Sequence, residues 1–170
     1  MQCVSVSYRS KESTNFFSHG PSFRKALLEA YGESDTLDLR SHDWRWCALL
    51  FSILSAAIIG SPESISASWG FSDADKLRMS RQWGKAVISS LQLGDYASRH
   101  HIYSVQAILN MHTSEHLVGS AKEWAVYQAF ATVIARALGL NRYVNPFFFF
   151  FSPSMIRANF GEGSVHTQKI

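Results

Sequence analysis

The stretch from Asp95 to Arg142 constrains the fold more than any other part of the chain. It reads as two helices joined by a turn, one over Tyr103–Glu115 and one over Lys122–Leu138. The second carries explicit start and stop signals. Ser120-x-x-Glu123 is a capping box, in which each side chain satisfies an orphan amide, and Gly139 suits a left-handed residue after the last turn. Trp124, Val126, Phe130, Val133, Ile134 and Leu138 leave almost no polar side, and only Gln128, Thr132 and Arg136, spaced by four, form a narrow strip. A helix apolar nearly all round is expected in the middle of a bundle, with Ala131 and Ala135 letting a neighbour pack close.

Three further helices precede this pair. Pro21 suits a first turn and Gly32 a stop, which bounds a short helix over Pro21–Tyr31. A second runs over Asp43–Ile59, with Asp43 near its cap, Trp44 and Trp46 as apolar anchors and Gly60-Ser61-Pro62 as its end. The segment 62–71 reads as a loop. Ser72 then caps a third helix, Asp73 and Asp75 favour its positive end, and Gly94-Asp95 closes it. Leu77, Gly84, Val87, Ile88 and Leu91 share one face, while Arg78, Gln82, Lys85 and Ser89 share another. No run of alternating β-branched residues competes. The expected fold is therefore all-α, an irregular bundle of about five helices, with residues 1–20 as a polar lead-in.

Composition narrows the function classes. At 46% apolar and 17% charged the chain is globular rather than disordered. Net charge is +3, but Arg78, Arg81 and Lys85 form the only basic cluster, on the polar side of a helix, so a solvated face is expected rather than a nucleic-acid surface. Two cysteines, Cys3 and Cys47, make neither a disulfide framework nor a cysteine metal site, which fits a reducing compartment. The N-terminus lacks a secretory core. The longest apolar run, Cys47–Ile59, is shorter than the ~20 residues of a membrane span and reads as a buried helix.

The tail from 143 to 170 is of another kind. Pro146 precedes five phenylalanines, Phe147 to Phe151, and the residues beyond them have no helical period. A phenylalanine run means T-rich DNA, and Arg142-Tyr143-Val144 can be encoded across a splice-donor-like sequence, so a translated intron is one expectation for this segment. A buried aromatic plug is another. A membrane anchor is disfavoured by length.

Chemical motifs are sparse. His112-Thr113-Ser114-Glu115-His116 matches H-x-x-E-H, in which two imidazoles one turn apart hold zinc and a carboxylate activates water. A zinc-dependent hydrolase is the alternative reading this motif supports. It needs a third ligand downstream, where only Glu123 and Glu162 are available; histidines at a helix C-terminus, favoured by the helix dipole, are the simpler account. His100-His101 fits a helix-entry loop, and Asp95 fits a pair with Arg99 or the turn itself. No catalytic residue, cofactor site or metal site is assigned. Polar groups on otherwise apolar helices must find partners, which makes Gln106, Gln128, Thr132 and Arg136 the candidate lining of an effector groove or inter-helix contact.

The residues Gly94-Asp95-Tyr96, Ile102-Tyr103-Ser104-Val105-Gln106-Ala107, Gly119-Ser120, Trp124, and Ala135 with Leu138-Gly139-Leu140-Asn141-Arg142 resemble the fungal-specific transcription factor domain. This is the middle homology region of the zinc-binuclear-cluster regulators. Asp43-Trp44-Arg45-Trp46 through Leu49-Leu50, and Trp69-Gly70-Phe71, resemble its upstream part. The resemblance covers roughly residues 21–142 and picks out Asp95, Gln106, Trp124, Gly139, Leu140 and Arg142 as motif positions. It implies an all-helical, non-catalytic regulatory domain of a nuclear protein. Its partners would be other regions of the transcription factor, co-regulator proteins, or a small-molecule effector.

The chain departs from the family at Asn141, where histidine is usual, and near Val133, where arginine is common. The six-cysteine DNA-binding cluster is absent, so zinc is expected only in a full-length parent and no direct DNA binding is expected of this chain. The family domain normally continues past the Leu-Gly-Leu-His-Arg motif. The resemblance therefore implies a partial, truncated domain over 21–142, prone to association where its last helix is uncovered. A helical interaction domain unconnected with transcription is the third reading.

Overall fold

The computed structural model describes residues 20–32, 37, 39, 41–118 and 121–140. Among them the chain is all-helical, with no strand. The order is α1 (Gly20–Tyr31), α2 (Trp44–Gly60), α3 (Glu63–Ser68), α4 (Asp73–Leu93), α5 (Ile102–Asn110), a 3₁₀ turn (Met111–Thr113), α6 (Glu115–Val118) and α7 (Ala121–Ala137). The five helices expected from periodicity are α1, α2, α4, α5 and α7. The lead-in before Gly20, the phenylalanine-rich tail and the motif residues Gly119, Ser120, Asn141 and Arg142 lie outside the described residues, and with them the Ser120 half of the capping box.

The helix ends follow the expected chemistry. The Asp43 carboxylate accepts from the Arg45 amide at 2.8 Å and caps α2. Ser72 and Asp75 form the reciprocal box of α4: the Asp75 amide donates to Ser72 Oγ at 3.2 Å, and the Ser72 amide donates to the Asp75 carboxylate at 3.3 Å. Gly32 and Gly139 take φ of +52° and +72°, the left-handed geometry that a side chain would strain. The expected loop 62–71 instead contains the short helix α3. Pro62 stands at its start and Glu63 in its first turn, so the Pro-Glu pair was the unread signal.

The centre of the bundle is α2, not the last helix. Trp46, Cys47, Ala48, Leu49, Leu50, Ile53, Ala56, Ala57 and Ile58 are buried, as are Ser52 and Ser55. A helix buried on nearly every side has to be apolar on nearly every side, and the run Cys47–Ile59 satisfies this. Trp44 is 40% exposed while Trp46 is buried, because residues two apart point to opposite sides of a helix. No described helix is long and apolar enough to cross a membrane.

Around α2 the neighbours are fixed by small residues and hydrogen bonds. The strongest packing is against α4, the next against α5, and α7 lies on α5. Contacts between Ser55 and Ser80, and between Arg45 and Gly94, run in opposite order along the two helices, so α2 and α4 are antiparallel. Arg45 reaches Arg99 and Asn110 reaches Ser52, so α2 and α5 run parallel. Ala48, Ser52, Ser55 and Ala56 on α2, and Gly84 on α4, are all buried and leave little side chain between helices. Of the expected α4 face, Gly84, Val87 and Leu91 are buried, whereas Leu77 is exposed.

Two expectations about the final helix pair are corrected. The fourth expected helix does not continue to Glu115. It stops at Asn110, tightens into the 3₁₀ turn, and Ser114 (φ −122°, ψ 5°) breaks it before α6. The cause is Ser114 itself, fully buried and within 3.0 Å of the Ser55 hydroxyl on α2. The last helix, α7, is not central: it buries Trp124, Ala131, Ile134 and Ala135 but exposes Val126, Phe130 and Val133, and Leu138 just past its end is exposed as well.

Candidate functional site

Two of the segments singled out above, Asp43–Trp46 and Gly94–Tyr96, meet at one end of the core, where α2 and α5 begin and α4 ends. Arg45 is the hinge of this cluster. Its guanidinium pairs with the Asp43 carboxylate, with Nε donating to Oδ1 at 2.9 Å, and its Nη1 donates to the Arg99 carbonyl at 3.3 Å. Its stem lies against Gly94, where a methyl group would sit 2.8 Å from Cγ of Arg45 and 3.3 Å from its backbone nitrogen. Any larger residue at 94 would push α2 and α4 apart.

Asp95 takes a left-handed conformation, φ +49°, and its carbonyl accepts from the amides of Ser98 and Arg99 at 3.1 and 2.8 Å. An aspartate tolerates this region better than most residues, so Asp95 serves the turn. Tyr96 then packs edge-on against Phe130 at 5.5 Å and beside Tyr127 at 6.0 Å, tying the turn to α7.

Electrostatics follow from these contacts. Hydrogen bonds from Arg45 hold the Asp43 carboxyl at about 2, against the opposing effect of partial burial. His101 caps α5, its Nδ1 accepting from the Tyr103 amide at 3.2 Å, so the neutral ring protonated on Nε2 fits the site. Burial and then the Arg45 charge lower its pKa below 6.5, with Asp43 opposing. A lowered pKa means that the unfolded chain takes up the proton first. The His101 contribution to stability is therefore complete above about pH 6.5 and declines as pH falls through the folded value. His101→Asn keeps an acceptor for the cap without titrating. Thermal melts of the two proteins are expected to agree at pH 8 and to diverge below about pH 6.5, with the native sequence losing more. Parallel curves would remove His101 from this role.

A second polar cluster is wholly interior. The Ser55 hydroxyl on α2 lies 2.9 Å from Ser80 Oγ, 3.1 Å from the Ser80 carbonyl and 3.0 Å from Ser114 Oγ. All three serines are fully buried, and their hydroxyls join α2 to α4 and to the turn before α6. Trp46 Nε1 and Ser104 Oγ, each on the third residue of its helix, are buried without a partner among the described residues.

Cys47 is fully buried and burial pushes its thiol up to about 11. In a Cys3→Ser variant, a thiol reagent at neutral pH is expected to label Cys47 only as fast as the bundle opens. Labelling within seconds in native buffer would contradict this packing.

The other sequence candidates are dispersed. Gln106 on α5 and Gln128 on α7 are half-buried on helices that pack together. Thr132 turns its hydroxyl back to the Gln128 carbonyl at 3.0 Å, and Arg136 is exposed. Trp124 is buried against Tyr127, and Leu140 is half-buried. His112 and His116 are both exposed, one in the 3₁₀ turn and the other in α6, with the Ser114 break between them. They do not stand one turn apart on a continuous helix, the placement that the zinc motif needs. The side chain of Glu115 lies outside the described residues. Among the described residues no three His, Cys, Asp or Glu side chains are grouped to hold a metal.

Sequence reading missed Arg45 and His101 as organising residues. The signal for Arg45 was its position two residues after a capping aspartate, within reach of the same carboxylate. Histidine is a rare cap, so His101 gave little warning. No family model, no curated protein and no solved structure matches the chain.

Proposed function

We propose that this chain is a non-catalytic regulatory module of a fungal transcription factor, acting in the nucleus. The observation that carries the reading is the clasp. Asp43-Trp44-Arg45-Trp46 and Gly94-Asp95-Tyr96, two segments that bear the resemblance and stand about fifty residues apart, interlock through Arg45, Gly94 and the Arg99 carbonyl. Residues that recur together as a motif are expected to share one structural task, and this one sets how three helices meet.

The mechanism is conformational. An effector or a co-regulator that favours one setting of the clasp shifts the population of the module and, through it, the DNA-binding and activating parts of the parent. Gln106, Gln128, Thr132 and Arg136 remain the proposed effector-facing or inter-helix polar set. Zinc belongs to the parent's cysteine cluster, and this chain reads no DNA by itself.

The test tethers the chain to a heterologous DNA-binding domain in a fungal reporter strain. Output is expected to differ from that of the tether alone, and Arg45→Ala is expected to abolish the difference at equal protein level. Output indistinguishable from the tether alone would contradict the proposal.

A further inference from the structure

Half of the large apolar side chains exposed among the described residues sit on α7 and just past its end. Val126, Phe130, Val133 and Ala137 recur at intervals of four, three and four, which lines them along one seam on the side of α7 away from Trp124, Ala131 and Ala135. Val126 and Val133 are each 55% exposed and Phe130 is 38% exposed, with its ring steadied by Tyr96. At 1.5 Å per residue the seam runs about 16 Å, or three turns. Isolated exposed apolar residues are ordinary, but a continuous three-turn seam marks a contact surface.

The edges of the seam say what covers it. Lys122 and Arg136 flank one edge, two heptads apart with Ala129 between them, and both are exposed. Neither makes an ion pair among the described residues. Glu123 stands at the head of the seam, on the other side.

A second copy fits this arrangement poorly. An antiparallel pairing about a two-fold axis sets the two basic edges side by side, with Lys122 of one copy toward Arg136 of the other. A parallel pairing sets Glu123 against its own image. Either costs like-charge repulsion next to a desolvated seam.

We propose that α7 docks an amphipathic helix from a partner protein, with apolar residues at helical spacing for the seam and acidic residues along the edge that meets Lys122 and Arg136. The partner's carboxylates pair with the two cations, and its apolar face covers the valines and Phe130.

The test uses the full chain and two labelled helical probe peptides, three heptads long, with leucine at the seam positions. One carries glutamate at its edge positions and the other lysine. The glutamate probe is expected to bind at low salt, at least about tenfold tighter than the lysine probe. Lys122→Glu with Arg136→Glu is expected to reverse that preference, and Val133→Asp, an exposed position, to lose both probes while the helical melt persists. Equal affinity for the two probes, binding to neither, or binding unchanged in Val133→Asp would overturn the proposal. So would sedimentation showing a dimer that Val133→Asp dissociates, which would give the seam to a second copy.

Discussion

Replacing Trp124 by alanine is expected to destabilise the bundle by about 3–5 kcal/mol, the largest single-residue effect on the last helix. Trp124 is almost wholly buried, and its ring lies 5.2 Å from that of Tyr127. Tyr127 in turn reaches Tyr96 in the turn after α4, and Tyr96 reaches Phe130. Truncating the tryptophan leaves a cavity where α7 rests on α5 and loosens an aromatic chain that also holds the Asp95 turn. Because the opposite face of α7 is already exposed, this helix has no second contact of equal size among the described residues. Urea unfolding is the measurement. The midpoint should fall with the slope little changed, and Trp124→Phe should recover more than half of the loss. A loss below about 1 kcal/mol for the alanine variant would mean that α7 is not held by its buried face.

Ser55→Ala is expected to cost about 1–3 kcal/mol although it removes one oxygen atom. The reason is what it leaves behind. The Ser55 hydroxyl lies between those of Ser80 and Ser114, all three sealed from solvent. Without it Ser114 keeps only a 3.7 Å contact to the Met111 sulfur, and Ser80 keeps a 3.4 Å contact to the Ser55 carbonyl. Stranded buried hydroxyls account for most of the expected loss. The triple variant, with alanine at 55, 80 and 114, removes the stranded groups as well. It is expected to be less destabilised than the sum of the three single variants by about 0.5 kcal/mol or more. Strict additivity would mean that the three hydroxyls do not act as one network.

Much of the fold was legible because helix ends are local chemistry. Asp43, Ser72 with Asp75, Gly32 and Gly139 each announce an end through groups within four residues, and each does so in the structure. What periodicity cannot say is which of two apolar helices occupies the centre. Cys47–Ile59 and Trp124–Leu138 look alike by composition. The difference lies in a few polar side chains: Gln128, Thr132 and Arg136 keep part of α7 at the surface, whereas the polar residues of Cys47–Ile59 are serines, small enough to be buried on α2.

The break after Asn110 was equally hidden. It depends on Ser114 meeting Ser55, a contact 59 residues away in sequence. The clasp was half legible. Its segments stood out as motif residues, yet Arg45 reaching the Arg99 carbonyl past Gly94 is a tertiary fact that no spacing rule contains. The zinc motif shows the converse: a spacing that is correct on paper loses its meaning once the helix beneath it is interrupted.

As the proposed module of a zinc-cluster regulator, the chain is expected to be made together with the segment that reads DNA. Sequencing of full-length transcripts across its coding region decides whether it is. The expected transcripts encode a six-cysteine zinc cluster and, downstream of it and in frame, this sequence. Full-length transcripts from that region in which this sequence is never joined to such a cluster would contradict the transcriptional reading.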